Sequence, residues 1–151
     1  MGNENQPFFQ SGVFPKGTYT LSDLISHLKQ DPIIKECGAI MTFTGIVRGV
    51  SQNSSSKMHV KNIHVEANIG LANQALQQIC TDLQQGDVKR VIIYHGEGEF
   101  AAGEDLVHVI VAGGHRHAAF ATLQQAIERY KSTAAIWKKE ILDDGTEQWV
   151  H

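Results

Sequence analysis

The stretch Leu106-Val107-His108-Val109-Ile110-Val111-Ala112 is apolar on both of its alternating faces apart from His108. A strand of that kind is stable only when layers cover it on both sides, so it places a sheet interior in this chain. Three segments have the helical spacing to supply those layers. Leu21, Leu24, Ile25 and Leu28 recur at three- and four-residue intervals after Thr20-Leu21-Ser22-Asp23, a capping box with Asp in the acidic place, and Asp31-Pro32 closes that helix. Ala72, Leu76, Ile79, Cys80 and Leu83 mark a second helix, ended by Gly86-Asp87. A third follows Gly113-Gly114 and runs to about Ser132.

Further strands surround the interior one. Residues 8–14 read as a short strand ended by Pro15 and Gly17, and 38–48 as a long central strand rich in β-branched and apolar residues. Residues 58–67 read as a strand with a phase shift between Val60 and Ile63 that signals a bulge. Val88 to His95 is a strand, with 96–100 and 102–105 as glycine-rich turns. Residues 136–142 and 146–150 flank Asp143-Asp144-Gly145 as a terminal hairpin. The serine-rich segment 49–57 reads as a mobile loop. Strands outnumber helices and no repeat appears, so the expected fold is α+β: a mixed sheet, three helices and a C-terminal hairpin. Residues 1–6 are expected to be a flexible tail, and 7–151 a single domain.

Thirteen Lys and Arg stand against 16 Asp and Glu, a net charge of −3, with no basic run to neutralise a phosphate backbone. Dedicated nucleic-acid binding is therefore excluded from the expectation, and any anion site must be local. Cys37 and Cys80 form no CxxC pair, which leaves a disulfide framework or structural zinc without support. There is no signal-peptide layout at the start and no apolar run of membrane-spanning length. A cytoplasmic protein is expected.

Chemistry is most visible where the third helix gives way to strand, at Tyr130-Lys131-Ser132-Thr133-Ala134-Ala135-Ile136-Trp137-Lys138-Lys139-Glu140. Lys131 ends the helix and Lys138 enters the strand, and two ammonium groups converging on one pocket lower each other's tendency to stay charged. Such an amine serves as nucleophile or proton carrier. A plainer reading stays open: Lys131 answers the helix dipole, and 138–140 are the solvated side of an edge strand. A second site is Gly113-Gly114-His115-Arg116-His117, where a helix N-terminus, a guanidinium fork and an imidazole favour an anion. A metal role for His115 and His117 is the weaker reading, since their spacing points them apart on a helix. Arg48 ends the long strand as a third candidate cation. Convergence of Arg48, Arg116, Lys131 and Lys138 would make a positive pocket on an acidic protein, suited to a phosphorylated small molecule or a peptide carboxyl terminus.

In this arrangement the chain resembles the large, catalytic subunit of molybdopterin synthase from about Cys37 to Val150. The likeness is carried by Gly38-Ala39 with 42–48, by Glu66 with Gly70, by 95–99 and 103–105, by His115-Arg116 with Ala119-Phe120, and by Lys131 with 136–140. The resemblance implies an α/β-hammerhead-like fold and a homodimer within a heterotetramer. It implies a ubiquitin-like small subunit whose thiocarboxylate tail donates sulfur to cyclic pyranopterin monophosphate, forming the dithiolene of molybdopterin. Lys131 and Lys138 fall on the family's essential lysines, with Arg48, His115, Arg116, Phe43 and Lys139 as substrate-binding residues; no metal or cofactor is implied. Two departures stand out: Ala135 replaces a usual proline, and Ala67-Asn68-Ile69 replaces a usual aromatic and proline. The alternative from another class is a non-catalytic module that uses the same pocket to bind a carboxyl-terminal tail or phosphorylated metabolite.

Overall fold

The computed structural model describes residues 9–51 and 58–150. The expected tail, 1–6, and the centre of the expected loop, 52–57, lie outside the described residues. Seven strands and three helices follow in the order β1 (Gly12–Pro15), α1 (Leu21–Gln30), β2 (Ala39–Ile46), β3 (Val60–Ala67), α2 (Ile69–Leu83), β4 (Val88–Ala101), β5 (Asp105–Gly113), α3 (Arg116–Thr133), β6 (Ile136–Leu142) and β7 (Glu147–Val150). A 3-10 turn, Pro32–Glu36, links α1 to β2. The sheet runs β2-β5-β4-β3-β6-β7, with β1 joining β4 in parallel while every other pair is antiparallel. The α+β architecture with a mixed sheet is the one expected.

Strand alternation explains the layering. Val107, Val109 and Val111 of β5, with Val91 and Ile93 of β4, point toward α2 and α3, which contribute Leu76, Ile79, Ala119 and Ala126. Ile110 and Ala112, with Ile92 and Tyr94, point the other way, toward Leu24 and Leu28 of α1. His108 is buried on that second face, stacked on Tyr94 at 5.7 Å, with Nδ1 2.9 Å from Thr44 Oγ1. It is a satisfied sheet histidine. A third cluster, built on Ile63, Val65, Phe100 and Leu142, packs on one face of β3 and β6. At the start of α1, Thr20 Oγ1 accepts from Asp23 N at 3.0 Å and Asp23 Oδ2 accepts from Thr20 N at 2.9 Å, so both halves of the capping box form.

Two expectations need correction. β2 is an edge strand, not a central one, and its mostly half-buried residues reflect the missing neighbour. Residues 96–100 are not a turn. β4 runs on to Ala101, pairing with β5 along 88–95, with β1 along 94–97 and with β3 along 98–101. Glycine bends the strand here rather than ending it: Gly98 has φ 120°, and a Cβ at Gly96 would sit 2.6 Å from the Phe100 ring. The expected bulge is present, with a register shift between Val60 and Asn62. Both flanks of the serine-rich segment are held, Ser51 N donating to Met58 O at 2.8 Å and Val60 N to Gly49 O at 3.0 Å.

Candidate active site

Helix α3 ends beside the start of β6, joined by Ala134-Ala135 alone. Ala134 leaves the helix in an extended conformation with its N–H on Tyr130 O, and Ala135 O accepts from Asn68 N at 3.1 Å. The connector is thus pinned to the N-cap of α2 without the proline usual in the resembled family. It delivers Lys131, in the last turn, and Lys138, the third residue of β6, to one cleft of about 700 Å³. Phe43 and Arg48, from and just beyond β2, line the same cleft, as do His95 and Tyr130.

Register decides which lysine enters. Lys138 lies opposite Val65 and Val150, both buried, so it points inward. Lys139 lies opposite His64 and Trp149 on the outer face, pairs with Glu147 at 3.2 Å and sits 5.5 Å over the Trp149 ring. The expected substrate-binding role of Lys139 therefore finds no support in its position, because adjacent strand residues face opposite sides. β6 is also not an edge strand; β3 and β7 flank it.

Among the described residues, no Asp or Glu lines the cleft. Among the described residues Arg48, Lys131 and Lys138 have no carboxylate partner; Lys16, Arg90, Arg129 and Lys139 have one, and the other described cations, spread over the surface, have none. Burial lowers the Lys138 amine from its ordinary value, and the nearby Lys131 charge lowers it further. Burial, reinforced by Lys138, pushes His95 down to about 4. Burial raises the Tyr130 phenol to about 12.

His115 and Arg116 are elsewhere. They open α3, fifteen residues before Lys131 at the nearer of the two, or about 22 Å along the helix axis. The expected convergence of Arg116 with the lysines does not occur within one chain. Asp87 already answers this helix start, its Oδ2 accepting from His115 N at 2.8 Å and lying 3.2 Å from Nδ1. Among the described residues, no three metal-binding side chains gather. A smaller cavity of about 290 Å³ lies between α1 and α2, but its cation, Arg90, is bound to Asp31 at 2.8 Å.

The sequence reading gave no site role to His95, Tyr130 or the rim residues Ile46 and Trp137, the last two 59% and 51% exposed, although Tyr130 and Trp137 lie in the stretch it singled out. The signal for His95 was its period of two from Val91 and Ile93, which carries it under the end of α3.

A mixed-sheet α+β protein that gathers three cations, one of them a half-buried amine, in a single cleft has an arrangement that can hold an anion and can support nucleophilic or proton-transfer chemistry. The model of the MoaE protein family matches residues 18–133, and the chain belongs to that family. It is 38% identical over 133 residues to a probable molybdopterin synthase of Haloferax volcanii, covering 87% of this chain and 50% of that protein, so it spans about half the relative's length. The molybdopterin synthase structure from Staphylococcus aureus superposes with a TM-score of 0.77 at 26% identity, covering 95% of this chain and 98% of that one. The complex of subunits 1 and 2 of molybdopterin-converting factor from Helicobacter pylori contains a chain of the same fold, with a TM-score of 0.74 at 18% identity over 94% of this chain and 90% of that one. No helix of the described residues is long and apolar enough to cross a membrane.

Proposed function

We propose that the chain is the catalytic subunit of a molybdopterin synthase, in which sulfur from a thiocarboxylated, ubiquitin-like small subunit is transferred to cyclic pyranopterin monophosphate. The observation that carries this reading is the cleft itself: Arg48, Lys131 and Lys138 converge with no carboxylate among the described residues that line it, in a chain of the MoaE family. Phosphate and thiocarboxylate are both anions. Fixed cations in a partly dry cleft lower the cost of bringing them together. The H. pylori complex supports a small-subunit partner of the same kind here.

The residues divide the work by depth. Lys131, exposed at the cleft edge, meets the incoming thiocarboxylate. Lys138, deeper and with its amine lowered, moves protons or stabilises the developing oxyanion. Arg48 holds the substrate phosphate and Phe43 forms the wall. His115 and Arg116 are too far along α3 to serve their own cleft, so their role in substrate binding is across a homodimer, in the neighbour's cleft. The lowered amine favours an enzyme over a simple binding module, since binding alone needs only permanent cations.

The test is reconstitution. Purified protein, thiocarboxylated carrier and precursor are combined, and dithiolene product is assayed. Product that requires all three components supports the reading; tight binding of both ligands with no product returns the chain to the binding-module class.

A further inference from the structure

The cavity of about 290 Å³ between α1 and α2 shares no lining residue with the cleft. It lies where the sheet is one strand short. β1 begins at Gly12 and pairs with β4 only from Tyr94 onward, so among the described residues the edge of β4 from Val91 to Ile93 has no strand beside it. Side chains cap that edge instead, Val91 N donating to Gln84 Oε1 at 2.9 Å and Ile93 N to Ser11 Oγ at 2.9 Å. One wall is α2, where Gln77, Cys80, Thr81 and the C-cap Gln84 share a face at three- and four-residue spacing. The other carries the rings of Phe9 and His27, each held edge-on to Tyr19, at 5.3 Å and 6.0 Å.

Hydrogen bonds fix which way each amide of this wall points. Gln84 Oε1 is taken by Val91 N, which leaves the Gln84 Nε2 hydrogens over. Gln77 Nε2 donates to Ser11 O at 3.1 Å, which leaves Gln77 Oε1 over. Arg90 uses Nε on Asp31 and Nη1 on Lys89 O, each at 2.8 Å, and Nη2 has no partner among the described residues. His27 Nδ1 is sealed without a partner, a setting that suits a lone pair better than an N–H, so the neutral ring keeps its proton on Nε2. Donors and an acceptor thus stand together on one cavity. Among the described lining residues its two charged side chains, Arg90 and Asp31, cancel each other in an ion pair.

We propose that this cavity is a second ligand site, for a small uncharged heterocycle of nucleobase size that carries a carbonyl and an N–H on a flat ring. Gln84 Nε2 and Arg90 Nη2 donate to the carbonyl, Gln77 Oε1 accepts from the N–H, and the ring lies against Phe9. An ion of either sign meets the like charge of Arg90 or Asp31, which selects against it. A purely apolar molecule leaves the amides unpaired and loses affinity for that reason. The volume is at the small end of ligand pockets and suits one or two rings. The site stands apart from sulfur transfer, and neither reading depends on the other.

The test is an NMR titration of the nitrogen-labelled full chain with uracil and with hypoxanthine, beside inorganic phosphate and benzene as charged and apolar contrasts. Either heterocycle is expected to give saturable shifts of the Gln77 and Gln84 side-chain amides and of the Val91 N–H, with a Kd of about 0.1–5 mM, the scale for a ligand of so few atoms. Phosphate and benzene at the same concentrations are expected to leave those signals in place. Gln77→Leu removes the open acceptor and is expected to weaken binding about 10-fold or more. Thr81→Trp adds bulk at an exposed position on the rim and is expected to abolish the shifts. No saturable shift in wild type with either heterocycle overturns the proposal, as do shifts from phosphate or benzene that equal those from the heterocycles. Wild-type affinity in Gln77→Leu or in Thr81→Trp overturns it as well. If Gln77→Leu does not fold, the contrast ligands on wild type and the titration of Thr81→Trp decide the matter.

Discussion

Lys131 and Lys138 line the same cleft from opposite sides of a two-residue connector, and the charge of the first helps to lower the amine of the second. The arrangement follows from local rules. A helix that ends at Thr133 and a strand that begins at Ile136 leave no slack, and the strand's alternation turns residue 138 inward and 139 outward. Like charges are held together because the surrounding fold, not their own contact, fixes them.

His95 makes acid stability an early test. Its folded-state value of about 4 lies below the ordinary 6.5, so the unfolded chain binds more protons between those limits. Its contribution is complete above pH 6.5 and is lost as pH falls toward 4, amounting to about 3 kcal/mol. Urea unfolding at stepped pH is expected to show this loss in wild type and not in His95→Phe.

Arg48 is assigned to the phosphate. Arg48→Ala is expected to raise KM for the precursor about 10–100-fold, as loss of a charged hydrogen bond does, while leaving thermal stability within about 0.5 kcal/mol because the side chain is exposed. Steady-state kinetics with saturating carrier and a melting curve check the two halves.

Glu140 is buried at 0% exposure and accepts from Ser51 Oγ at 2.7 Å and Gln148 Nε2 at 2.8 Å. It therefore ties the segment after Arg48 to the terminal hairpin. Glu140→Ala is expected to cost roughly 2–4 kcal/mol, from lost hydrogen bonds and the cavity left behind. A lowered urea midpoint with an unchanged slope is the expected result.

Arg116 tests the shared-site proposal. Arg116→Ala and Lys131→Ala, each weak alone, are expected to regain about a quarter of wild-type activity when mixed and allowed to exchange subunits, since half the dimers then hold one intact cleft. Activity that stays at the level of the single variants places Arg116 outside the site.

Much of this architecture was written in short-range patterns. The doubly apolar run 106–112, the capping box at Thr20 and the phase shift after Val60 each report a local constraint, and each appears where expected. The continuation of β4 was hidden because Gly96 and Gly98 look like turn residues; only the Phe100 ring and the change of partner from β1 to β3 explain them. Site membership was split in the same way. Lys131, Lys138, Arg48 and Phe43 meet in one chain, whereas the distance from Arg116 to Lys131 is set by the full length of α3. His95 shares the period of Val91 and Ile93 and so a face of the sheet with them, but only the fold shows that the end of α3 and the cleft lie over it.

Single-turnover sulfur transfer by Lys138→Ala, with carrier and precursor binding measured on the same preparation, tests the account at its centre. Expected is a loss of at least about 100-fold in the transfer rate with both ligands still bound, the scale of a lost proton-transfer or oxyanion-stabilising group. Transfer at the wild-type rate would contradict the account, because the buried amine of the cleft would then have no part in the chemistry.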